Sequence, residues 1–476
     1  MSELYLPWLE LAIVTPLVGA LVVSRARDAE FAWRRALSAN GLTLCFAVGA
    51  WQDFTAMGSL EAHDRWAVLS NWLGGEILAI DQLSAPIVPL AALLYFAVTL
   101  ATLRTRIRHY PFARSLVSLA LLLAMLSCRQ PWGVITLLAA QAVPPWIELR
   151  ARGRSTRVFT LHTLLFVALL AAGWAMTESG IRADDESVAI GLLAAGVMIR
   201  SGVVPLHCWM SDLFENATFG TALLYVTPMA GAYAAVRLVL PVASEWALQS
   251  IALLSLMTAV YAGGMALVQR EARRFFCYLF LSISSLVLVG LEVATPISLT
   301  GGLCVWISVG LSLAGLGLTL RALEARTGRL SLADYHGLYE HTPKLAAFFL
   351  LTGLASVGFP GTVGFVGMEI LVEGTVNANP LAGMLVVFVA ALNGIAVLHA
   401  YFRLFTGTVH TATVSLRSRW PERIAVLILT ALILVGGLIP QPGVASRYQA
   451  ATSIIARRQT AGREAAHHAL QHRIQR

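Results

Sequence analysis

VMIRSGVVPLH at residues 197–207 and ASVGFPGTVGF at residues 355–365 each interrupt a long apolar run with glycine and proline. Proline removes a backbone donor and glycine weakens a helix, so each run should kink or break part-way along. Broken helices at matching places in two halves of a membrane chain mark inverted-repeat transporters, whose pathway lies at the breaks. A kink that serves only packing is the plainer alternative.

Working outward, the rest of the chain is as apolar as these runs require. Of 476 residues, 57% are hydrophobic and 13% charged, and mean hydropathy is +0.72. A soluble domain is about half apolar and about a quarter charged, so lipid must cover much of this one. About 14 runs are long enough to cross a bilayer as helices. They lie at 6–24, 36–54, 80–102, 113–128, 131–148, 158–176, 188–207, 220–240, 247–269, 275–293, 296–322, 345–375, 382–406 and 422–440. They are too continuous for barrel strands, so the expected fold class is all-α integral membrane. The run at 11–23 lacks a basic leader and reads as a retained first helix rather than a signal peptide.

The formal net charge is +8, but the arginines gather in short loops, at 25–35, 104–114, 150–157, 270–274, 321–329 and 417–423. These loops alternate with neutral or acidic ones such as 61–64 and 184–186. That pattern is membrane topology, not nucleic-acid binding, and by the positive-inside rule it puts the N-terminus outside. An even helix count leaves the basic tail, 447–476, outside as well. Either the count is off by one or the tail is a surface amphipathic helix.

The five cysteines are scattered and form no CxxC. A metal or iron–sulfur centre is therefore not expected, and buried inert thiols are the plain reading. No nucleophile elbow, phosphate loop, HExxH or dinucleotide fingerprint lies on a suitable element, so neither a catalytic site nor a cofactor is expected in this chain.

Several stretches resemble a known family. They are ILAIDQLSAPIVPL at 77–90, GVVPLHCWMSDLFENAT at 202–218, GAYAAVRL at 231–238, LADYHGLYEHTPKLAAFFL at 332–350 and LASVGFPGTVGFVG at 354–367. In order and spacing the chain is similar to the antiporter-like subunits shared by respiratory complex I, membrane-bound group 4 hydrogenases and Mrp-type sodium/proton antiporters. The resemblance implies about 14 helices with two inverted repeats of about five helices, each holding a broken helix. It divides the chain into N-terminal helices at 1–112, a first repeat at 113–245, a second at 246–410, and a last helix with basic tail at 411–476. It also implies proton or cation translocation driven by partner subunits of a multisubunit complex, such as a complex I-like oxidoreductase, in a bacterial inner (plasma) membrane.

Residue by residue, the family's buried relay of glutamate and lysine mostly fails to carry over. Its first glutamate falls on Ala140, beside Gln141, and the lysine before the first break falls on Arg200. Arginine keeps its proton in proteins. The central lysine falls near Met229, a histidine on Val309, and the exit glutamate on Met368, one residue before Glu369. Lys344 is the only lysine, so no lysine relay can exist. The ionisable residues left inside apolar runs are the pathway candidates: Arg200, His207, Glu369, His399 and His162. Asp81 and Arg237 read as interfacial caps or snorkelling groups, and Arg200 and Glu369 could share a polar axis between the breaks. Three readings stay open: a proton-translocating subunit, a degenerate scaffold that docks other subunits, and a subunit coupled to inorganic-carbon uptake.

Overall fold

A computed structural model describes residues 2–65, 77–179, 183–407 and 419–474. Arg417 of the last arginine cluster lies outside the described residues. Among the described residues, seven helices are long and apolar enough to cross a membrane: Arg157–Glu178, Phe219–Val239, Glu245–Val268, Ala272–Glu292, Pro296–Thr327, Pro380–Phe405 and Trp420–Leu438. Shorter apolar helices, Trp8–Ser24, Ser84–Leu100, Phe112–Ser127 and Pro343–Ser356, pack among them, as does Ala29–Met57. Such lengths of apolar helix make the chain an integral membrane protein.

Helices that are apolar all round belong in the interior, and those with one apolar face against protein belong at the edge. Phe219–Val239, Ala272–Glu292 and Pro296–Thr327 are each 94% buried and form the centre. Arg157–Glu178 is only 22% buried and stands at the periphery.

The all-helical expectation needs one amendment. Ser2–Leu4, Glu61–Asp64 and Ile80–Asp81 form a small three-stranded sheet, parallel then antiparallel. Its first two strands lie outside the long apolar runs and the third at the start of the run at 80–102, in segments too short for a period-two pattern to be legible. Asp64 ends its central strand and accepts hydrogen bonds from the Leu9 and Glu10 amides at 3.2 and 2.9 Å, capping Trp8–Ser24. Burial pushes its carboxyl up to about 6, against the lowering effect of those two amides.

Both interrupted runs break. The first half-helix, Ala183–Ser201, resumes as Cys208–Asn216; the second, Pro343–Ser356, resumes as Val363–Ala378. Each first half ends on a glycine in the left-handed region, Gly202 (φ +77°) and Gly358 (φ +89°), where a Cβ would be strained. Each glycine N–H bonds three residues back, and the next N–H reaches five back: Val203 to Met198 at 2.9 Å, Phe359 to Leu354 at 3.1 Å. The two breaks therefore share one backbone cap.

After the second break, Val363–Ala378 lies against Pro296–Thr327 at backbone contact. A Cβ on Gly301 would fall on the Leu371 amide, and one on Gly374 on the Ser298 amide. Glycine is required there because two backbones occupy the space a side chain would need.

The arginine clusters converge on one face. A cavity joins Arg27 to Arg108 and Arg114, a second joins Tyr110 to Arg152, Arg273 and Arg329, and Arg326 pairs with Glu422. The C-terminal helix, Gln441–Ile474, lies on the opposite face. Arg447 donates to the Gln82 and Leu83 carbonyls at 2.6 and 3.2 Å, and Arg458 to the Ala243 carbonyl at 3.1 Å. The basic tail is thus a helix docked against the protein, with Arg447, Ala450 and Ala451 buried.

Candidate functional site

Arg200 ends the first half-helix with only 3% of its surface exposed. Its guanidinium lies 4.3 Å from the centre of the Tyr225 ring and 5.6 Å from that of Trp209, and donates to the Tyr225 carbonyl at 3.4 Å. Trp209 is held in turn by its indole N–H on the Ile199 carbonyl, 2.9 Å away. Aromatic faces and a carbonyl, not a carboxylate, thus balance the charge. The Arg200 Nε has no hydrogen-bond partner among the described residues. Beside it a cavity of about 20 Å³, lined by Ser201, Gly231 and Ser284 among others, has room for a single water.

His207 lies just after the break, half-buried, with its ring 5.8 Å from Tyr261 and 5.9 Å from Tyr278. Its Nδ1 is buried and makes no hydrogen bond among the described residues. His162, on the neighbouring peripheral helix, bonds its own Val158 carbonyl at 2.8 Å. His399 sits near the arginine-rich end of Pro380–Phe405, where Arg403 Nε donates to its Nε2 at 3.2 Å. Glu369 is exposed on Val363–Ala378. The structure therefore gathers Arg200, His207 and His162 around the first break and leaves His399 and Glu369 apart. No hydrogen bond or ion pair joins Arg200 to Glu369 among the described residues.

Other buried charges escaped the sequence reading. Asp81 and Arg237, expected as separate interfacial groups, pair with each other through two hydrogen bonds of 2.7 and 3.0 Å, and Arg457 approaches the same carboxylate at 3.4 Å. Glu148 is buried three residues after Pro145, accepting from the Thr218 amide at 2.8 Å and the Thr221 hydroxyl at 2.5 Å. Glu292, 2% exposed, ends the central helix Ala272–Glu292, and its Oε2 has no partner. A signal for both was present: Glu148 is the only acidic residue between Asp81 and Glu178, and Glu292 the only one between Glu271 and Glu324.

Two central helices order these groups by depth. Along Phe219–Val239, Thr221 meets Glu148 near the arginine-rich face, Tyr225 meets Arg200, and Arg237 lies towards the other face. Along Ala272–Glu292, Arg273 starts on the arginine-rich face, Ser284 lines the Arg200 cavity, and Glu292 ends at the opposite side. The second half adds buried polar groups that are uncharged: Asn393 donates to Ser282 at 2.9 Å, Ser282 donates to the Ala259 carbonyl at 2.8 Å, and Ser308 Oγ is unpartnered among the described residues. Carboxylates and histidines can pass protons; hydroxyls can hold water between them; Arg200 can only fix a positive charge. Of the cysteines, Cys128, Cys277 and Cys304 are buried, whereas Cys45 and Cys208 are exposed, against the expectation of uniformly buried thiols.

Comparison with known proteins agrees with this architecture. Subunit M of NADH-quinone oxidoreductase from Mycobacterium tuberculosis (strain ATCC 25618 / H37Rv) is 29% identical over 250 residues, 51% of this chain and 45% of that one. The chain thus spans about half the length of the first curated relatives it matches. NAD(P)H-quinone oxidoreductase chain 4 1 of Synechococcus sp. (strain JA-3-3Ab) is 25% identical over 428 residues, 83% of this chain and 81% of that one. A chain of the Mrp complex from Dietzia sp. DQ12-45-1b superposes with a TM-score of 0.83 at 18% identity, covering 94% of this chain and 97% of that one. A chain of respiratory complex I from Thermus thermophilus gives 0.81 at 21%, covering 94% and 99%. At such identities the structures share the fold alone. The family described as NADH:quinone oxidoreductase/Mrp antiporter, TM matches residues 155–395, about half of the chain and both breaks, and the chain belongs to that family.

Proposed function

We propose that this chain is a proton-translocating, antiporter-like membrane subunit of a multisubunit complex of the complex I or Mrp kind, driven by partner subunits. The observation that carries the reading is the ordered set Glu148, Arg200, Glu292, buried at successive depths along two central helices. Isolated buried charges in a membrane are costly, so three at successive depths point to a route for charge. In this reading Glu148 takes a proton near the arginine-rich face and Glu292 releases it on the other. Arg200 supplies a fixed field between them. His207 and His162 serve the break from the side, and His399 serves the second half from its arginine-rich end. Glu369, exposed on its helix, faces a neighbouring subunit.

The finer architecture follows the same reading: about 14 crossings, with inverted repeats at 113–245 and 246–410 between the N-terminal helices, 1–112, and the last helix and tail, 411–476. The shared cap at the two breaks supports it. Convergence of the arginine clusters supports a cytoplasmic face there, with the N-terminus outside a bacterial plasma membrane. The test is proton uptake by the whole complex in proteoliposomes, followed with a pH-sensitive dye. Glu148→Gln and Glu292→Gln should each cut uptake about tenfold or more with the complex still assembled. Uptake unchanged in both would remove the pathway and leave a docking subunit.

A further inference from the structure

On the arginine-rich face an open cavity of about 640 Å³ lies where six elements end. Five arginines line it: Arg152, Arg154, Arg273, Arg321 and Arg329, with His109 at the edge and two carboxylates, Glu215 and Glu324. The carboxylates are already taken. Glu324 accepts from Arg273 through both oxygens, at 2.7 and 2.5 Å, and Glu215 pairs with Arg274 at 2.9 Å. Arg321 donates to the Val98 carbonyl and the Thr102 hydroxyl, which are neutral. Arg329 donates to a backbone carbonyl, that of Glu215. Arg152 stands 3.7 Å from Glu148, whose oxygens already serve Thr218 and Thr221. Arg154 is exposed; its amide bonds the Leu149 carbonyl at 3.0 Å, and its guanidinium makes no hydrogen bond or ion pair among the described residues.

We propose that this basin binds a phosphate-bearing anion, either the headgroup of an anionic phospholipid or free phosphate. The preference for positive charge on one side of a membrane accounts for arginines in each loop. It does not account for arginines from separate elements turning into one concavity, where like charges repel unless an anion shares the space. Guanidinium forks match phosphate oxygens in pairs, and Tyr110 and Phe219 give the wall an apolar part suited to a glycerol backbone. The basin's wall meets Glu148 through Arg152 and Thr218, but the proposal rests on the basin's own arginines and stands without the proton function.

The test uses the purified full-length chain in phosphatidylcholine nanodiscs, with and without phosphatidylglycerol, and separately titrated with inorganic phosphate. Arg154→Gln/Arg329→Gln alters exposed side chains only; Arg34→Gln, an exposed arginine paired with Glu30 and outside the basin, is the control. Bound phosphorus is counted by native mass spectrometry after delipidation, with the thermal midpoint as a second readout. The double variant should weaken retention about tenfold or more, the effect of losing charge-assisted hydrogen bonds, while the control matches wild type. Retained phosphatidylglycerol that inorganic phosphate does not displace assigns the headgroup; binding and displacement by inorganic phosphate assign the free anion. If neither probe binds wild type more tightly than the double variant, the proposal is overturned.

Discussion

The two broken helices are built on one backbone device and put to different uses. Each ends on a left-handed glycine with the same pair of return hydrogen bonds. Two residues before Gly202 stands Arg200, a buried charge under aromatic rings; two residues before Gly358 stands Ser356, which bonds the Gly353 carbonyl at 2.7 Å. Around the first break are a water-sized cavity and an unpartnered histidine nitrogen. Around the second, backbones touch. Backbone symmetry therefore does not carry chemical symmetry: the first break holds a buried charge and the second a hydroxyl.

Placing a charge at the second break is the severest way to break that contrast. Ser356→Arg would bury an unpaired guanidinium at a site now only 3% exposed and should cost about 3–5 kcal/mol, read as lost yield and a much lower thermal midpoint. A variant that folds like wild type would mean the second break can hold a charge after all. The reverse change should be mild. Arg200→Met replaces a buried charge by an apolar side chain of similar length, and stability should stay within about 1 kcal/mol of wild type. Proton uptake by the whole complex should nevertheless change, because the fixed field is gone. A large drop in thermal midpoint would instead make Arg200 a strut of the broken helix.

The smallest effect lies outside both breaks and serves as a titration control. The Asp64 carboxyl is raised from 3.8 to about 6, so the folded chain holds its proton more tightly than the unfolded one. Its contribution to stability is present below 3.8 and is lost as pH rises through about 6. Thermal midpoints measured across that window should fall with rising pH in wild type, and the slope should flatten in Asp64→Asn. An equal slope in both would assign the pH dependence to another group.

Much of this was legible in the sequence. Hydropathy located the long helices, and glycine with proline located both breaks, because these signals are local. Alternating arginines foretold a single basic face for the same reason. The pairings were not legible. Asp81 and Arg237 are 156 positions apart and meet only when the chain is folded. Glu148 was not legible because the family's register points five residues before Pro145, not three after it. Arg200 and Glu369 make no ion pair among the described residues, since one residue of helix register turns a side chain by about 100°, here from the buried Met368 to the exposed Glu369. The small sheet escaped because its strands are short and paired across sequence.

The glycine contacts between Pro296–Thr327 and Val363–Ala378 have a mechanical meaning. Two helices whose backbones meet at Gly301 and Gly374 cannot slide past one another, since a shift of one residue, about 1.5 Å, would drive neighbouring side chains into main chain. The pair acts as a single rigid beam. Any piston or shear stroke during turnover has to be taken up by other helices, and a cross-link within the beam would leave that stroke free.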